Sequence, residues 1–217
     1  MGTITRSFAN NITTSGVLLP ASLTNNSIAN VTAYNASVST GNMVLLSSQT
    51  ASNSASISFT TGINSTYKEY QFWFIDIHAR TGATDFGFNL STDSGSNYNV
   101  TKTSTSFRSL QRENATDALL LYDSGYDLAQ STGFQNIITG LLTTADENGA
   151  GMLQLFNPAS TTYVKHYIAN TQYLLAGDYS EQRFIGGYGN TTSAINAVRF
   201  QMSSGNFDGT ILMYGIV

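Results

Sequence analysis

The strongest structural signal in the sequence is an alternation of aromatic and aliphatic residues that begins at Tyr70. Successive side chains of a β-strand point to opposite faces, so the segment Tyr70–Ile77 would be apolar on both faces. One face would carry Tyr70, Phe72 and Phe74, and the other Trp73, Ile75 and Ile77. A strand of this kind is typically covered on both faces, so we expect it to be central in its sheet.

Two further runs follow before Thr103. Phe86–Leu90 places two phenylalanines and a leucine on one face of a second strand, and Tyr98–Val100 begins a third. Between them lies the turn Asp93–Asn97, where Asp accepts local backbone hydrogen bonds and Gly can take a positive φ. The sequence therefore predicts three antiparallel strands at the middle of the chain.

The rest of the chain consists of short runs in which apolar and polar residues alternate. Turn residues separate these runs about every 8–12 positions, a spacing typical of β-sandwiches and jelly rolls. We expect an edge strand at Thr105–Arg112, a buried strand at Leu119–Tyr122 and a C-terminal hairpin. The other predicted strands are Met43–Ser47, Ala55–Phe59, Asn136–Leu142, Met152–Phe156, Tyr163–Ile168, Arg183–Tyr188, Val198–Met202 and Thr210–Ile216. No segment has a sustained helical period, so we predict an all-β fold, an antiparallel β-sandwich or jelly roll.

The N-terminal segment, residues 1–42, is rich in Asn, Ser and Thr and has only short apolar patches. Disorder is one interpretation of such a composition. The other is an extended arm that its own domain or a neighbouring chain holds in place. We predict an N-terminal extended arm at 1–42, followed by a β-sandwich domain at 43–217.

Composition excludes several classes of function. The net charge is −4 and the nine Lys and Arg are scattered, so no basic cluster could neutralise the phosphates of a nucleic acid. The chain has no Cys, which excludes disulfides and thiolate metal sites. Its longest apolar runs are too short to span a bilayer, so we expect no membrane partner, and the N-terminus lacks the apolar region of a signal peptide.

Several residues could carry chemistry, but none forms a convincing site. Asp76 and His78 lie two residues apart on one strand face, where a carboxylate could orient an imidazole, although both could simply face solvent. His166 lies on an apolar strand face and is more typical of a core histidine than of a metal ligand. Asp93–Asn97 and Asp146–Asn148 could offer oxygens to calcium, but each is also typical of a capped turn.

No two carboxylates lie together outside the second of these turns, and a glycosidase needs two on facing elements. We therefore expect no catalytic, cofactor-binding or metal-binding residues, no cofactor and no enzyme activity.

Several segments resemble a group of tailed-phage virion proteins that is common in cyanophages and other marine phages. They are GTITRSFANNITTSGV near the N-terminus, NPASTTYVKHYI (157–168), GGY (186–188) and AINAVRFQMSSGNFDGTILMYGI (194–216). The resemblance covers most of the chain, and the ending SSGN-x-x-GTI-x-x-YGI is its most specific part. Members of the group are described as structural, capsid-decorating or fibre-like, so the resemblance implies a virion component and no chemistry.

The resemblance and the composition together predict a capsid decoration (cement) protein of the virion, assembled in the host cytoplasm. It would bind the head surface, with the major capsid protein as partner, through its arm. We also expect a homo-oligomer, a trimer by analogy with virion proteins. The alternative is a tail or fibre tip protein that binds a carbohydrate receptor, such as a surface glycan, by stacking exposed aromatic rings on sugars.

Overall fold

The computed structural model describes residues 42–217, which form twelve β-strands and no helix. The strands are β1 (Met43–Ser54), β2 (Ser56–Phe59), β3 (Glu69–Ala79), β4 (Thr84–Ser91), β5 (Lys102–Arg112), β6 (Ala118–Tyr122), β7 (Gln135–Leu141), β8 (Asn148–Phe156), β9 (Lys165–Leu175), β10 (Tyr179–Gly189), β11 (Ala197–Met202) and β12 (Phe207–Ile216). The predicted arm lies outside the described residues except for Asn42, so it stays a prediction.

The strands form two antiparallel sheets that pack face to face. One has eight strands in the order β1-β12-β3-β8-β9-β10-β5-β6, and the other has four in the order β2-β11-β4-β7. The core between them is largely aromatic: the rings of Phe72 and Phe74 lie 5.3 and 5.2 Å from that of Phe200 on the other sheet. The predicted antiparallel β-sandwich is confirmed.

Strand β3 is central, as predicted, because it pairs with β12 and β8. Within the described residues, however, it is covered on only one face, since Trp73 and Ile75 are exposed. Asp76 has a φ of 53° and lies in a β-bulge. The extra residue changes the alternation and turns Ile77 into the core, which the strict two-residue period did not predict.

The predicted central three-stranded sheet is wrong. β3 belongs to the eight-stranded sheet and β4 to the four-stranded one, and residues 97–101 between β4 and β5 are not a strand. Residues 80–83 carry the chain from one sheet to the other instead of closing a hairpin. The predicted C-terminal hairpin is wrong for the same reason, because β11 pairs with β2 and β4, whereas β12 pairs with β1 and β3.

Two further strand assignments are corrected. The predicted edge strand is β5, which lies between β10 and β6, and the predicted buried strand is β6, which is the exposed edge. The first predicted strand, Met43–Ser47, is longer in the structure, because β1 continues to Ser54, and Ala55 alone separates it from β2 in the other sheet. Apolar content therefore predicted strands, but not their places in the sheets.

Candidate functional site: the open face of the eight-stranded sheet

The outer side of the eight-stranded sheet carries a row of mostly apolar residues across seven strands. Strand register places the row's members side by side, from β12 at one end to β6 at the other. The row consists of Leu212, Trp73, Met152, Asn170, Phe184, Phe107 and Tyr122. Only Asn170 interrupts its apolar character.

The rows on either side mix apolar with neutral polar residues. One consists of Leu45, Tyr214, Gln71, Gln154, Ile168, Gly186 and Thr105, and the other of Thr210, Ile75, Ala150, Gln172, Gln182, Ser109 and Leu120. We call these three rows the open face. None of its residues is charged, so a partner could cover it without removing an ion from water, which is the largest cost of burying a surface.

Trp73 is the most distinctive residue of the open face, and its indole is held in place. It is 37% exposed, and its Nε1 donates to Gln71 Oε1 at 3.1 Å. Gln71 Nε2 in turn donates to Glu69 Oε1 at 2.7 Å, and Gln154 Nε2 donates to the same oxygen at 3.0 Å. Because these bonds fix the ring, the tryptophan offers a preorganised flat surface to a partner.

A shallow groove lies beside the indole. It has a volume of about 330 Å³ and is lined by Trp73, Met152, Asn170, Gln172 and Gln182, among others. Gln182 Nε2 donates to Asn170 Oδ1 at 3.1 Å, which orders the amides at the groove floor. The groove thus combines an aromatic wall with neutral hydrogen-bonding groups.

The other end of the row is also aromatic. Phe107 and Phe184 stack with their centroids 5.1 Å apart and an interplanar angle of 16°. Tyr122 lies opposite Phe107, and its hydroxyl donates to Asp127, a bond that raises the pKa of this tyrosine. Of the aromatics in this row, the sequence pattern singled out only Trp73, and it could not align the row because strand order is set by long-range pairing.

In the structure, the Asp76 carboxylate does not orient the imidazole of His78 as a hydrolase would require. The Asp76 carboxylate accepts from Asn148 at 3.5 Å, and His78 Nε2 contacts the Thr144 carbonyl at 3.1 Å. Instead, pairing with β12 places Asp208 opposite His78, and Asp208 forms an ion pair with Arg80 at 2.5 Å. Among residues 42–217, no carboxylate hydrogen-bonds to either histidine.

His166 does not point into the core. It is exposed on the outer side of β9, 6.1 Å from the ring of Tyr188, so the expectation of a core histidine is corrected. The neighbouring Lys165 and Tyr167 occupy the inner face instead. No group of three potential metal ligands occurs in the part of the chain that the structure describes.

Both candidate calcium loops are capped turns in the structure. The Asp93 carboxylate accepts from Ser91 Oγ at 2.7 Å and from the backbone and side chain of Asn97 at 2.8 and 2.7 Å. These bonds, led by that of the Asn97 side chain, lower the pKa of Asp93 to about 2. Glu147 similarly accepts from the Leu142 backbone N–H at 3.0 Å, so both carboxylates serve their own turns.

A buried ion cluster lies on the inner side of β5 and β10. Arg183 contacts Glu181 at 2.9 Å and Asp123 at 3.1 Å, and Arg108 contacts the same two carboxylates at 2.7 and 3.2 Å. The ring of Tyr126 covers the guanidinium of Arg183 at 4.6 Å. The sequence placed no two carboxylates together here. Two arginines neutralise this pair, and the cluster fastens the loop 123–134 over the sheet.

Two buried lysines flank Gly189 across β10 and have no carboxylate partner in the described residues. Lys102 Nζ donates to Asn89 Oδ1 and to the Val100 carbonyl, and Lys165 Nζ donates to the Tyr163 carbonyl. Burial lowers the pKa of Lys102 to about 7 and also lowers that of Lys165. Nothing in the sequence marked either lysine, because each occupies an ordinary alternating position.

Comparison with known proteins does not assign the chain to a family. No protein-family model, no curated protein and no solved structure matches the chain. Among the described residues, no helix is long and apolar enough to cross a membrane.

Proposed function

We propose that the protein is a structural component of a tailed-phage virion, a cement protein that binds the head surface as a homotrimer. The observation that carries this proposal is the open face, which is uncharged, partly aromatic and uncovered by any described residue. The resemblance to phage virion proteins supplies the virion setting and the number three. The major capsid protein is the proposed partner, and the host cytoplasm is the site of assembly.

The size of the open face supports a role in protein assembly. Each row crosses seven strands, so six strand spacings of about 4.8 Å give a width of about 29 Å, and three rows span about 13 Å along the strands. The resulting area is on the order of 400 Å², which is comparable in size to the largest apolar patches of typical monomers, although here apolar and neutral polar residues are mixed. A protein partner that covered it would bury a face comparable to the centre of a specific interface.

A role without catalysis is part of the proposal. Asp76 and His78 line an open groove of about 510 Å³, but no carboxylate among residues 42–217 hydrogen-bonds to His78, which contacts the Thr144 carbonyl instead. Glu181 and Asp123 are neutralised by two arginines inside the sandwich. Neither arrangement supplies an activated base or a free pair of carboxylates.

Trp73 provides a direct test, because it is the only tryptophan in the chain and lies on the open face. The full-length protein is mixed with phage heads that lack it and sedimented with them. We expect co-sedimentation, a blue shift of the Trp73 emission and protection from acrylamide quenching. Absence from the pellet would contradict the cement role, and binding with Trp73 as accessible as in the free protein would contradict the use of the open face.

A second candidate is a tail or fibre tip protein that binds a neutral surface glycan in the groove beside Trp73. The specific observation in its favour is an immobilised indole next to the amides of Asn170, Gln172 and Gln182. Sugars stack on aromatic faces and exchange hydrogen bonds with amides, and an uncharged groove suits a neutral sugar. Titration with neutral oligosaccharides should then change the Trp73 emission saturably, and an unchanged emission would exclude this candidate.

A further inference from the structure

The side chains of Lys102 and Asn89 form a buried contact between the two sheets. Lys102 is the first residue of β5 in the eight-stranded sheet, and Asn89 lies in β4 of the four-stranded sheet. Lys102 is 0% exposed and Asn89 1%. The Lys102 Nζ lies 2.5 Å from the Asn89 Oδ1, so an amine and a carboxamide are in direct contact away from water.

The Lys102 amine has the properties of a nucleophile. Within the described structure its one further hydrogen bond is to the Val100 carbonyl at 2.9 Å, and no carboxylate there contacts it. Burial lowers the pKa of Lys102 to about 7, so the amine is mostly neutral under mildly alkaline conditions. A desolvated, neutral lysine can attack a carbonyl carbon.

The Asn89 carboxamide is oriented and polarised by its hydrogen bonds. Its Nδ2 donates to the carbonyls of Tyr98 and Thr132 at 2.7 and 2.9 Å, which fixes the plane of the amide. Its Oδ1 accepts from the Leu90 backbone N–H at 2.9 Å as well as from Lys102. When the oxygen gains negative charge during an attack on the amide carbon, this N–H would stabilise it.

The distance between the reacting atoms suits such an attack. A C=O bond of about 1.23 Å and an angle of about 100–150° at the hydrogen-bonded oxygen place the Lys102 Nζ roughly 3.0–3.6 Å from the Asn89 Cγ. Well-oriented intramolecular reactions begin with the reacting atoms about 3–3.5 Å apart. Because both residues are buried in paired strands, the fold itself holds this geometry.

We propose that Lys102 and Asn89 form an intramolecular isopeptide bond after the chain has folded. The Lys102 Nζ attacks the Asn89 Cγ, a C–N bond forms, and a proton passes from Nζ to Nδ2 in the tetrahedral adduct. The Cγ–Nδ2 bond then breaks and ammonia leaves, so no oxidant or cofactor is consumed. Among residues 42–217 no carboxylate contacts either side chain to carry this proton, so we expect a slow reaction that leaves newly folded chains with a free amine.

The bond would give this chain a covalent cross-link, which it cannot make as a disulfide because it has no Cys. It would close the loop 89–102 and tie β4 to β5, and therefore one sheet to the other. A cross-link stabilises a fold mainly by restricting the unfolded chain. The linked chain should therefore unfold at a higher temperature than the newly folded chain, and only the unlinked chain keeps an amine that titrates at Lys102.

Tryptic digestion followed by mass spectrometry tests the bond directly. The full-length protein is digested when newly refolded and again after prolonged incubation at mildly alkaline pH. In the unlinked chain, trypsin cleaves after Arg80, Lys102 and Arg108, whereas a linked Lys102 is no longer a cleavage site. After incubation we expect a peptide 81–108 that is lighter by one ammonia and does not fragment between Asn89 and Lys102.

Lys165→Met is the matched control for Lys102→Met. Both lysines are buried and flank Gly189, but the Lys165 Nζ donates to the backbone carbonyls of Tyr163 and Thr191 and to no side-chain amide of the described residues. Lys165→Met should retain the cross-link, and Lys102→Met should lack both the loss of ammonia and the rise in unfolding temperature. An unchanged far-ultraviolet spectrum checks that each variant is folded.

The proposal is overturned if Lys102 stays fully cleavable in the incubated, unmodified chain, a result that needs no variant. It is also overturned if Lys102→Met loses ammonia to the same extent, because the loss would then come from a succinimide at an asparagine. Both readouts use the purified protein alone, so a linked protein that is absent from particles would contradict only the virion role.

Discussion

At the scale of single residues, Lys102 predicts how stability depends on pH. Burial lowers its pKa to about 7, whereas the unfolded chain has the ordinary value of 10.5. Between these values the unfolded chain binds a proton that the folded chain does not, so the free energy of unfolding rises with pH, by on the order of 1 kcal/mol per pH unit. Denaturant unfolding between pH 7 and pH 9.5, roughly that window, measures this slope.

Lys102→Met provides the control for this prediction. The variant keeps a similar side-chain volume but cannot titrate. Its free energy of unfolding should therefore rise less steeply with pH, by the contribution of one proton, and the slope that is left is due to Lys165. Equal slopes in the two proteins would contradict the assignment. Above about pH 10, stability should fall again, because burial raises the pKa of Tyr167 and Tyr173 and their ionisation favours the unfolded chain.

Arg183 gives a second prediction at this scale. Arg183→Met would leave Glu181 and Asp123 with Arg108 as their only cation in the cluster, and removing one partner of a buried ion pair costs about 3–5 kcal/mol. Arg112→Met is the matched control, because Arg112 stacks on Tyr179 at the surface and its loss should cost about 1 kcal/mol or less. Thermal or denaturant unfolding of the two variants compares these costs directly, and equal losses would show that the cluster contributes no more than a surface contact.

At the scale of elements, substitution of Trp73 tests whether the outer face of β3 is an assembly surface or part of the core. Trp73→Glu places a charge in the middle row of the open face but outside the core, so we expect a folded protein that no longer binds its partner. Thr161→Glu places the same charge on an exposed loop and should bind normally. Circular dichroism checks the fold and co-sedimentation with heads checks binding; an unfolded Trp73→Glu chain or unimpaired binding would contradict this interpretation.

The strands themselves were largely predictable, but their partners were not. The alternation in Tyr70–Phe74, Phe86–Leu90 and Val198–Met202 correctly predicted strands, but the second face of β3, expected to be covered, is exposed at Trp73 and Ile75. A two-residue period is the same whether the next strand continues in the same sheet or crosses to the other, so adjacent runs were wrongly joined as hairpins. The bulge at Asp76 was equally invisible, since a positive φ in a non-glycine residue has no sequence signature here.

The open face was only partly predictable for the same physical reason. The apolar residues of β3 predicted a second face that needs a cover, whereas the row from Leu212 to Tyr122 depends on register across seven strands. The exposed edge was missed because Leu119–Tyr122 reads as a core strand by composition alone. Its position beside β5 follows from long-range pairing that no local pattern encodes.

At the scale of the whole molecule, an uncharged interface predicts that assembly is insensitive to salt. Screening weakens contacts between exposed charges, with a Debye length that falls from about 10 Å at 0.1 M to about 3 Å at 1 M salt. The open face contains no charges, so an assembly held together by it should have the same mass by light scattering at low and high salt. Dissociation at high salt would indicate an interface built on ion pairs elsewhere.

An electron cryomicroscopy map of the intact particle would show directly where the protein binds and which of its surfaces is covered. We expect the twelve-stranded sandwich at repeated positions on the head, with Trp73 and Phe107 against a neighbouring subunit. A particle without this protein would contradict the virion role. A map in which the open face of every copy meets only solvent would contradict the claim that this face is the assembly surface.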